Sequence, residues 1–305
     1  MGMRRASGVL LLALLPLVTG CAIGAGPRPS DPVVPPAAAP TDVPQRPAPD
    51  GLPAPGDPFA KAQPDAAADT RAALAVYYVA ETAAGFRLQR EFHRVAADDR
   101  PSEAVREMLA NSTGTDPDYR NPWPAGTALR TPVDQRDHVI TVDLTGLGAG
   151  QMGSELAAIA VQQLVFTVQG ALQSTDSVRI LVDGHRVDKL WGVVDTSDPV
   201  ERGDSYELRS LVQIDAPAHG AEVSRVVRVT GEAAVFEASL LWEVRRGDVV
   251  VRSGAAATAE GQRFAPYVFE VTLEPGEYTV RVMEDDLSGG EGRPVLTDDK
   301  TITVS

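Results

Sequence analysis

The sequence predicts two folded domains of different class, an α+β two-layer domain at 71–207 and an all-β sandwich at 209–305. Three observations predict this. From residue 71 the apolar periodicity runs strand, strand, helix, strand, helix, strand, strand, the order of an α+β domain. From residue 212 about seven short alternating segments follow, with turn residues about every ten positions and no helical period. Ahead of both, residues 22–70 hold 13 of the 24 prolines and a single aromatic, Phe59, which is too little apolar surface to form a core.

In the first domain, alternation makes residues 74–78 a strand, and Ala83-Ala84-Gly85 turns the chain into a returning strand at 86–95. Asp98-Asp99-Arg100-Pro101 opens a helix, with proline near the first helical position where its missing N–H costs nothing. Val105, Met108 and Leu109 share one face of that helix. A turn-rich loop covers 111–126, and 138–144 alternates as a strand. The main helix is expected at 154–173, with Leu156, Ile159, Ala160, Leu164, Val168 and Leu172 forming one apolar stripe. It leads into a strand at 178–182. Asp183-Gly184 signals a two-residue hairpin, and its partner strand carries Val187 and Leu190.

In the second domain, strands are expected at 212–214, 223–229, 236–244, 249–252, 267–273, 278–282 and 301–304. Turns fall at Ala216-Pro217-Ala218-His219-Gly220, Arg246-Gly247-Asp248 and Pro275-Gly276. Trp242, inside a strand, is expected in the core. The short join at 207–211 implies that the two domains touch.

The start of the chain indicates where the protein works. Arg4 and Arg5 precede an apolar run at 9–18, too short to span a bilayer and of the length of an export signal. Val18-Thr19-Gly20-Cys21 resembles a bacterial lipobox. The resemblance implies cleavage between Gly20 and Cys21, a diacylglycerol on the Cys21 sulfur and an acyl chain on the new N-terminus, enough for stable anchoring. Cys21 is the one cysteine, so internal disulfides are excluded. No other apolar run is expected to reach membrane-spanning length. Residues 22–70 then form a polyproline-like, disordered tether that lifts the domains from the membrane. The formal charge is −14, and 71–305 alone carries 36 acidic against 23 basic residues. Such a surface repels nucleic acid and anionic lipid. Arginine outnumbers lysine 25 to 3, which reads as GC-rich coding and an actinobacterial source.

The first domain resembles the GerMN domain, named from a spore-germination protein. The matching features are the 74–78 strand, Asn121-Pro122-Trp123-Pro124-Ala125-Gly126-Thr127, and the helix running into Val178-Arg179-Ile180-Leu181-Val182-Asp183-Gly184. The closing stretch Gly192-Val193-Val194-Asp195-Thr196-Ser197-Asp198-Pro199 also matches. The second resembles the immunoglobulin-like module that accompanies such domains, through Ala216-Pro217 with Gly220, Val229-Thr230-Gly231 and Val235-Phe236-Glu237-Ala238. Pro266 before Phe269 and Glu284-Asp285 match as well. The resemblance implies this architecture and no particular reaction.

Chemistry is sparse. Gly148-Ala149-Gly150-Gln151-Met152-Gly153 fits a dinucleotide fingerprint in letters, but the first glycine follows the strand end by four residues and Asp183 lies 30 beyond the last glycine, against about 20 expected. His93, His138, His185 and His219 are scattered without metal-ligand spacing. Glu284, Asp285, Asp286, Glu291, Asp298 and Asp299 lack calcium-loop spacing and read as a solvated loop. Arg-Gly-Asp triplets at Arg202 and Arg246 read as coincidence in an arginine-rich chain. The sequence therefore offers no catalytic, cofactor-binding or metal residue and needs no cofactor; its one site residue is Cys21. The expectation is a non-enzymatic cell-envelope protein, lipid-anchored on the extracytoplasmic face of the cell membrane. It would act as a scaffold or interaction module for an envelope protein, with edge strands of the sandwich and the 121–126 loop as contact surfaces. The alternative is a binding module for a cell-wall polymer or an exported small ligand. No nucleic-acid partner is expected.

Overall fold

The computed structural model describes residues 71–148, 150–286, 292 and 294–305. The export signal, Cys21, the tether and Glu291 lie outside the described residues. The chain opens with a long hairpin, β1 (Arg71–Thr82) and β2 (Gly85–Ala96), paired in register along its whole length. Helix α1 (Arg100–Ala110) follows, its Ser102 N–H donating to the carboxylate of the N-cap residue Asp99, with Pro101 in the first turn. Two short strands, β3 (Ala128–Leu129) and β4 (Asp134–Arg136), pair antiparallel with successive stretches of one edge of β5 (Val139–Thr145). Helix α2 (Ser154–Leu172) then crosses to β6 (Ser177–Val182), which lies parallel to β5. Strands joined in parallel need such a crossover.

Asp183 and Gly184 both take positive φ, 52° and 82°, and turn β6 into β7 (His185–Arg186). This is the mirror-image turn that the Asp-Gly pair favours. The expected partner strand through Val187 and Leu190 is in fact divided. β7 continues the sheet, while β8 (Lys189–Leu190) pairs with β9 (Val194–Asp195) as a separate hairpin.

α2 corrects the expectation of a single stripe. Leu156 and Leu172 are only partly buried, whereas Ala157, Gln163, Val165, Phe166 and Thr167 are fully so. One side of the helix faces the core of β1, β5, β6 and α1; another holds Phe166 against Tyr77, Val79 and Leu88. Its length and mean hydropathy of 1.3 would suffice to cross a membrane, contrary to the expectation that no second run would, but 67% of it is buried within the domain. Gln163 donates to the Tyr77 carbonyl and Thr167 accepts the Tyr77 N–H, so the helix satisfies backbone groups on the edge of β1 that β2 leaves unpaired.

A short helix, α3 (Ser205–Leu208), leads into the sandwich. One sheet holds β10 (Val212–Ala216), β12 (Val226–Ala233) and β15 (Ala265–Thr272), in the order β10-β12-β15. The other holds β11 (Ala221–Val223), β13 (Ser239–Arg246), β14 (Val249–Ala257), β16 (Gly276–Glu284) and β17 (Thr297–Val304), in the order β11-β17-β16-β13-β14. Their inner faces meet in a core that includes Val229, Leu240, Val244, Tyr267, Val280 and Ile302. The expected strand at 223–229 is split between β11 and β12. The expected strand at 236–244 begins only at Ser239, because Phe236–Ala238 forms a 3₁₀ turn with Glu237 and Ala238 at positive φ. Trp242 packs half-buried on this core, stacked on Phe269 with ring centroids 4.7 Å apart. The α+β first part and the immunoglobulin-like sandwich lie within one compact unit, Gln63–Ser305.

Candidate functional site

The densest concentration of buried charge lies where the hairpin and the 111–126 loop meet the sandwich. Its inward-facing members come from β17, whose alternation buries Asp298, Lys300, Ile302 and Val304. Lys300 is 2% exposed, and its Nζ lies 2.7 Å from Asp116 Oδ2 and 3.3 Å from Asp298 Oδ1. It also sits 3.8 Å from the centre of the Tyr119 ring. Asp298 Oδ1 accepts the Tyr119 hydroxyl at 2.7 Å, and its Oδ2 accepts the Ile214 N–H at 2.6 Å.

The loop that supplies Asp116 and Tyr119 is organised from β2. Glu91 accepts the N–H groups of Thr115 and Asp116, each at 2.8 Å. His93 bridges Glu91 and Glu107, with 2.9 Å to each carboxylate. The electrostatics follow from this packing. Burial opposes the charge on Lys300, yet Asp298 and Asp116 outweigh it and raise the lysine pKa. Burial pushes the Asp298 carboxyl and the Tyr119 hydroxyl up. Burial also works against Glu91, but the bonds from His93 and the two backbone N–H groups leave it below the usual carboxylate range. The hydrogen bond to Glu91 raises His93.

Arginine extends the seam. Arg90 grips Asp215 with Nε and Nη2, at 2.9 and 2.8 Å, and reaches Glu232 with Nη1 at 2.8 Å. Arg209 donates to Gln213 and Glu232 and lies 3.8 Å above the Phe264 ring. Gln213 donates to Gln89 across the seam at 2.9 Å. Beside the ion cluster is a cavity of about 400 Å³ lined by Glu81, Gln89, Asp118, Tyr119, Arg120 and Asp299, among others. The buried carboxylates face Lys300, a phenol and backbone N–H groups. That arrangement fixes two surfaces together. Among the described residues no group of three or more His, Cys, Asp or Glu is placed to hold a metal ion.

The residues singled out in the sequence are distributed as follows. Asp298 leaves the expected solvated acidic loop: it is 5% exposed and sits in β17, because period-two alternation turns it inward beside Lys300. Asp299, on the opposite face, pairs with Arg281. His219 lies 3.5 Å from Asp116, and His138 3.4 Å from Asp176. Arg202 of the first Arg-Gly-Asp triplet donates to Gln169 and covers the Phe166 ring, while Asp204 caps α3. Arg246 of the second donates to Tyr278 and the Pro275 carbonyl. The 121–126 loop turns its aromatic inward: Trp123 is 4% exposed and packs 5.0 Å from Trp191, so the expected contact surface is reduced to its small residues.

Sequence reasoning missed Glu91, Asp116, Tyr119 and Lys300. Only Lys300 carried a signal, a lysine on the inward phase of an alternating strand.

Two family models match the chain. One, described as sporulation and spore germination (Germane), covers residues 75–188, and the other, an immunoglobulin-like domain of bacterial spore germination (Gmad2), covers 211–291. Among solved structures, the tandem GerMN domains of the sporulation protein GerM from Bacillus subtilis share 20% identity, with 44% of this chain and 45% of that chain covered and a TM-score of 0.35. A candidate lipoprotein from Clostridium perfringens shares 19% identity over 46% of this chain and 93% of that one, with a TM-score of 0.32. Fibronectin(III)-like modules of CbhA from Clostridium thermocellum share 18% over 30% and 93%, with a TM-score of 0.23. No curated protein matches the sequence. The chain carries a Germane (GerMN-type) domain followed by a Gmad2 immunoglobulin-like domain of the bacterial spore-germination type.

Proposed function

We propose that this is a non-catalytic cell-envelope protein, held to the extracytoplasmic face of the cell membrane by lipid on Cys21, that acts as a scaffold or interaction module for another envelope protein. The observation that carries the reading is the seam. Its buried ionisable groups are matched to one another across two domains, which suits a body that presents fixed surfaces more than one that performs a reaction. The lipobox-like Val18-Thr19-Gly20-Cys21 and the 49-residue stretch 22–70 would place that body away from the membrane surface. β14, at the edge of the five-stranded sheet, exposes Val249 and Val250 and offers unpaired backbone groups of the kind that extended partners use.

The test is cross-linking in living cells, with Cys21→Ala as the unanchored control and metabolic labelling with an alkyne fatty acid. The expected outcome is label on the native chain alone, together with a defined envelope protein captured by it and lost in the control. Capture of wall fragments without protein would overturn the scaffold role in favour of polymer binding. Equal labelling of both chains would overturn the anchor.

A further inference from the structure

Lys300 has chemistry that its ion pair does not use. The chain holds 25 arginines and only three lysines, Lys61, Lys189 and Lys300. The other cations of the seam are Arg90 and Arg209, side chains that stay charged and spread their bonds over a planar fork. A lysine differs in one respect: its amine can give up a proton and attack a carboxyl carbon.

The surroundings of Nζ suit such a step. Asp116 Oδ2 lies 2.7 Å away, which sets the amine against a carboxyl group from a distant part of the chain. The other oxygen of that carboxyl, Oδ1, accepts the Asp118 N–H at 3.0 Å. A fixed donor there would stabilise the negative charge that an oxygen gains when its carbon is attacked. Asp298 Oδ1 is 3.3 Å from Nζ. His219 Nδ1 lies 3.5 Å from Asp116 Oδ2, buried and without a hydrogen bond among the described residues. Lys300 and Asp116 are each 2% exposed, and the Tyr119 ring covers Nζ at 3.8 Å. Bulk water is thereby kept from a step that releases water.

We propose that Lys300 and Asp116 condense in the folded protein to an amide, an internal cross-link between the 111–126 loop and β17. The ion pair is the state before condensation. The two carboxylates favour the ammonium, so the reacting form is the minor one, in which a proton has moved from Nζ to Asp116 Oδ2 along their hydrogen bond. The electron pair on Nζ then bonds to Asp116 Cγ, and Oδ1 takes up the charge beside the Asp118 N–H. Asp298 removes a second proton from the nitrogen; burial has pushed its carboxyl up and made it the stronger base. That proton passes to Oδ2, with His219 beside it, and the Cγ–Oδ2 bond breaks. One ammonium and one carboxylate thus become one amide and one water. In a chain whose single cysteine is Cys21, the link would supply the covalent tie that a disulfide supplies elsewhere. The inference is independent of the anchor and of the scaffold role.

The test is peptide mapping of the full-length chain, purified in detergent, shown to be folded by circular dichroism, then denatured and cut with trypsin. Cleavage after Arg106, Arg120 and Arg281, with Arg293 shielded by Pro294, should give one branched peptide joining 107–120 to 282–305. It should be lighter than the sum of the two by one water, with no cut after Lys300. Pro117 has no N–H, so Asp116 cannot lose water by closing on its own backbone instead. Lys300→Arg keeps the cation and should abolish the branch. Asp298→Asn cannot take the proton and should slow the branch about 100-fold in a pulse-labelled time course. Separate 107–120 and 282–300 peptides from the folded native chain would overturn the proposal without recourse to any variant. A branch in Lys300→Arg, or an unchanged rate in Asp298→Asn, would overturn the chemistry assigned to these residues.

Discussion

Lys300 shows most directly how a single side chain can hold this protein together. It is enclosed with Asp116 and Asp298, so removing it leaves two carboxylates buried without their cation. Breaking a buried pair in this way costs about 3–5 kcal/mol. Lys300→Ala should therefore lose about that much stability in urea unfolding, and adding Asp116→Asn and Asp298→Asn should recover much of it. His93 makes a pH-dependent contribution. Its pKa is raised in the folded protein, so its contribution is complete below the ordinary histidine value and is lost as pH rises through the elevated one. Glu91 is lowered, so its contribution is complete above the ordinary carboxylate value and is lost as pH falls through the depressed one. The pair is strongest in mild acid between those limits. The stability difference between the native protein and His93→Gln should be larger at pH 5.5 than at pH 8; an equal difference at both would remove His93 from the account.

Among the elements, β12 is the most exacting. A Cβ at Gly231 would lie 1.9 Å from the Gln213 carbonyl oxygen and 2.4 Å from the Tyr267 hydroxyl, which itself donates to that carbonyl. Gly231→Ala should destabilise the protein by about 3 kcal/mol, read by thermal unfolding. The elements also show what could be read in advance. Asp183-Gly184 and Asp99 with Pro101 are local signals whose turn and cap chemistry survives any packing, and both landed as expected. The break before β13 did not show, because Glu237 and Ala238 hold positive φ without the glycine or asparagine that marks such a site. The extent of burial on α2 did not show either: Gln163 and Thr167 are polar by composition and are drawn inside by the backbone of β1, a demand set by tertiary structure. The seam is non-local in the same way. Asp116 and Lys300 are 184 residues apart, and no spacing rule connects them.

At the scale of the whole molecule, the two cores are joined by Arg90, Arg209, Gln213, Asp298 and Lys300, so the Germane and Gmad2 parts have a common fate. The order in which the chain is made adds a consequence. Asp116 and Tyr119 leave the ribosome, and cross any export channel, long before β17 arrives to cover them. Until then the first domain exposes a half-built polar face. Closing that face waits on a contact between residues 184 apart, the kind of long-range pairing whose loop-closure entropy slows folding.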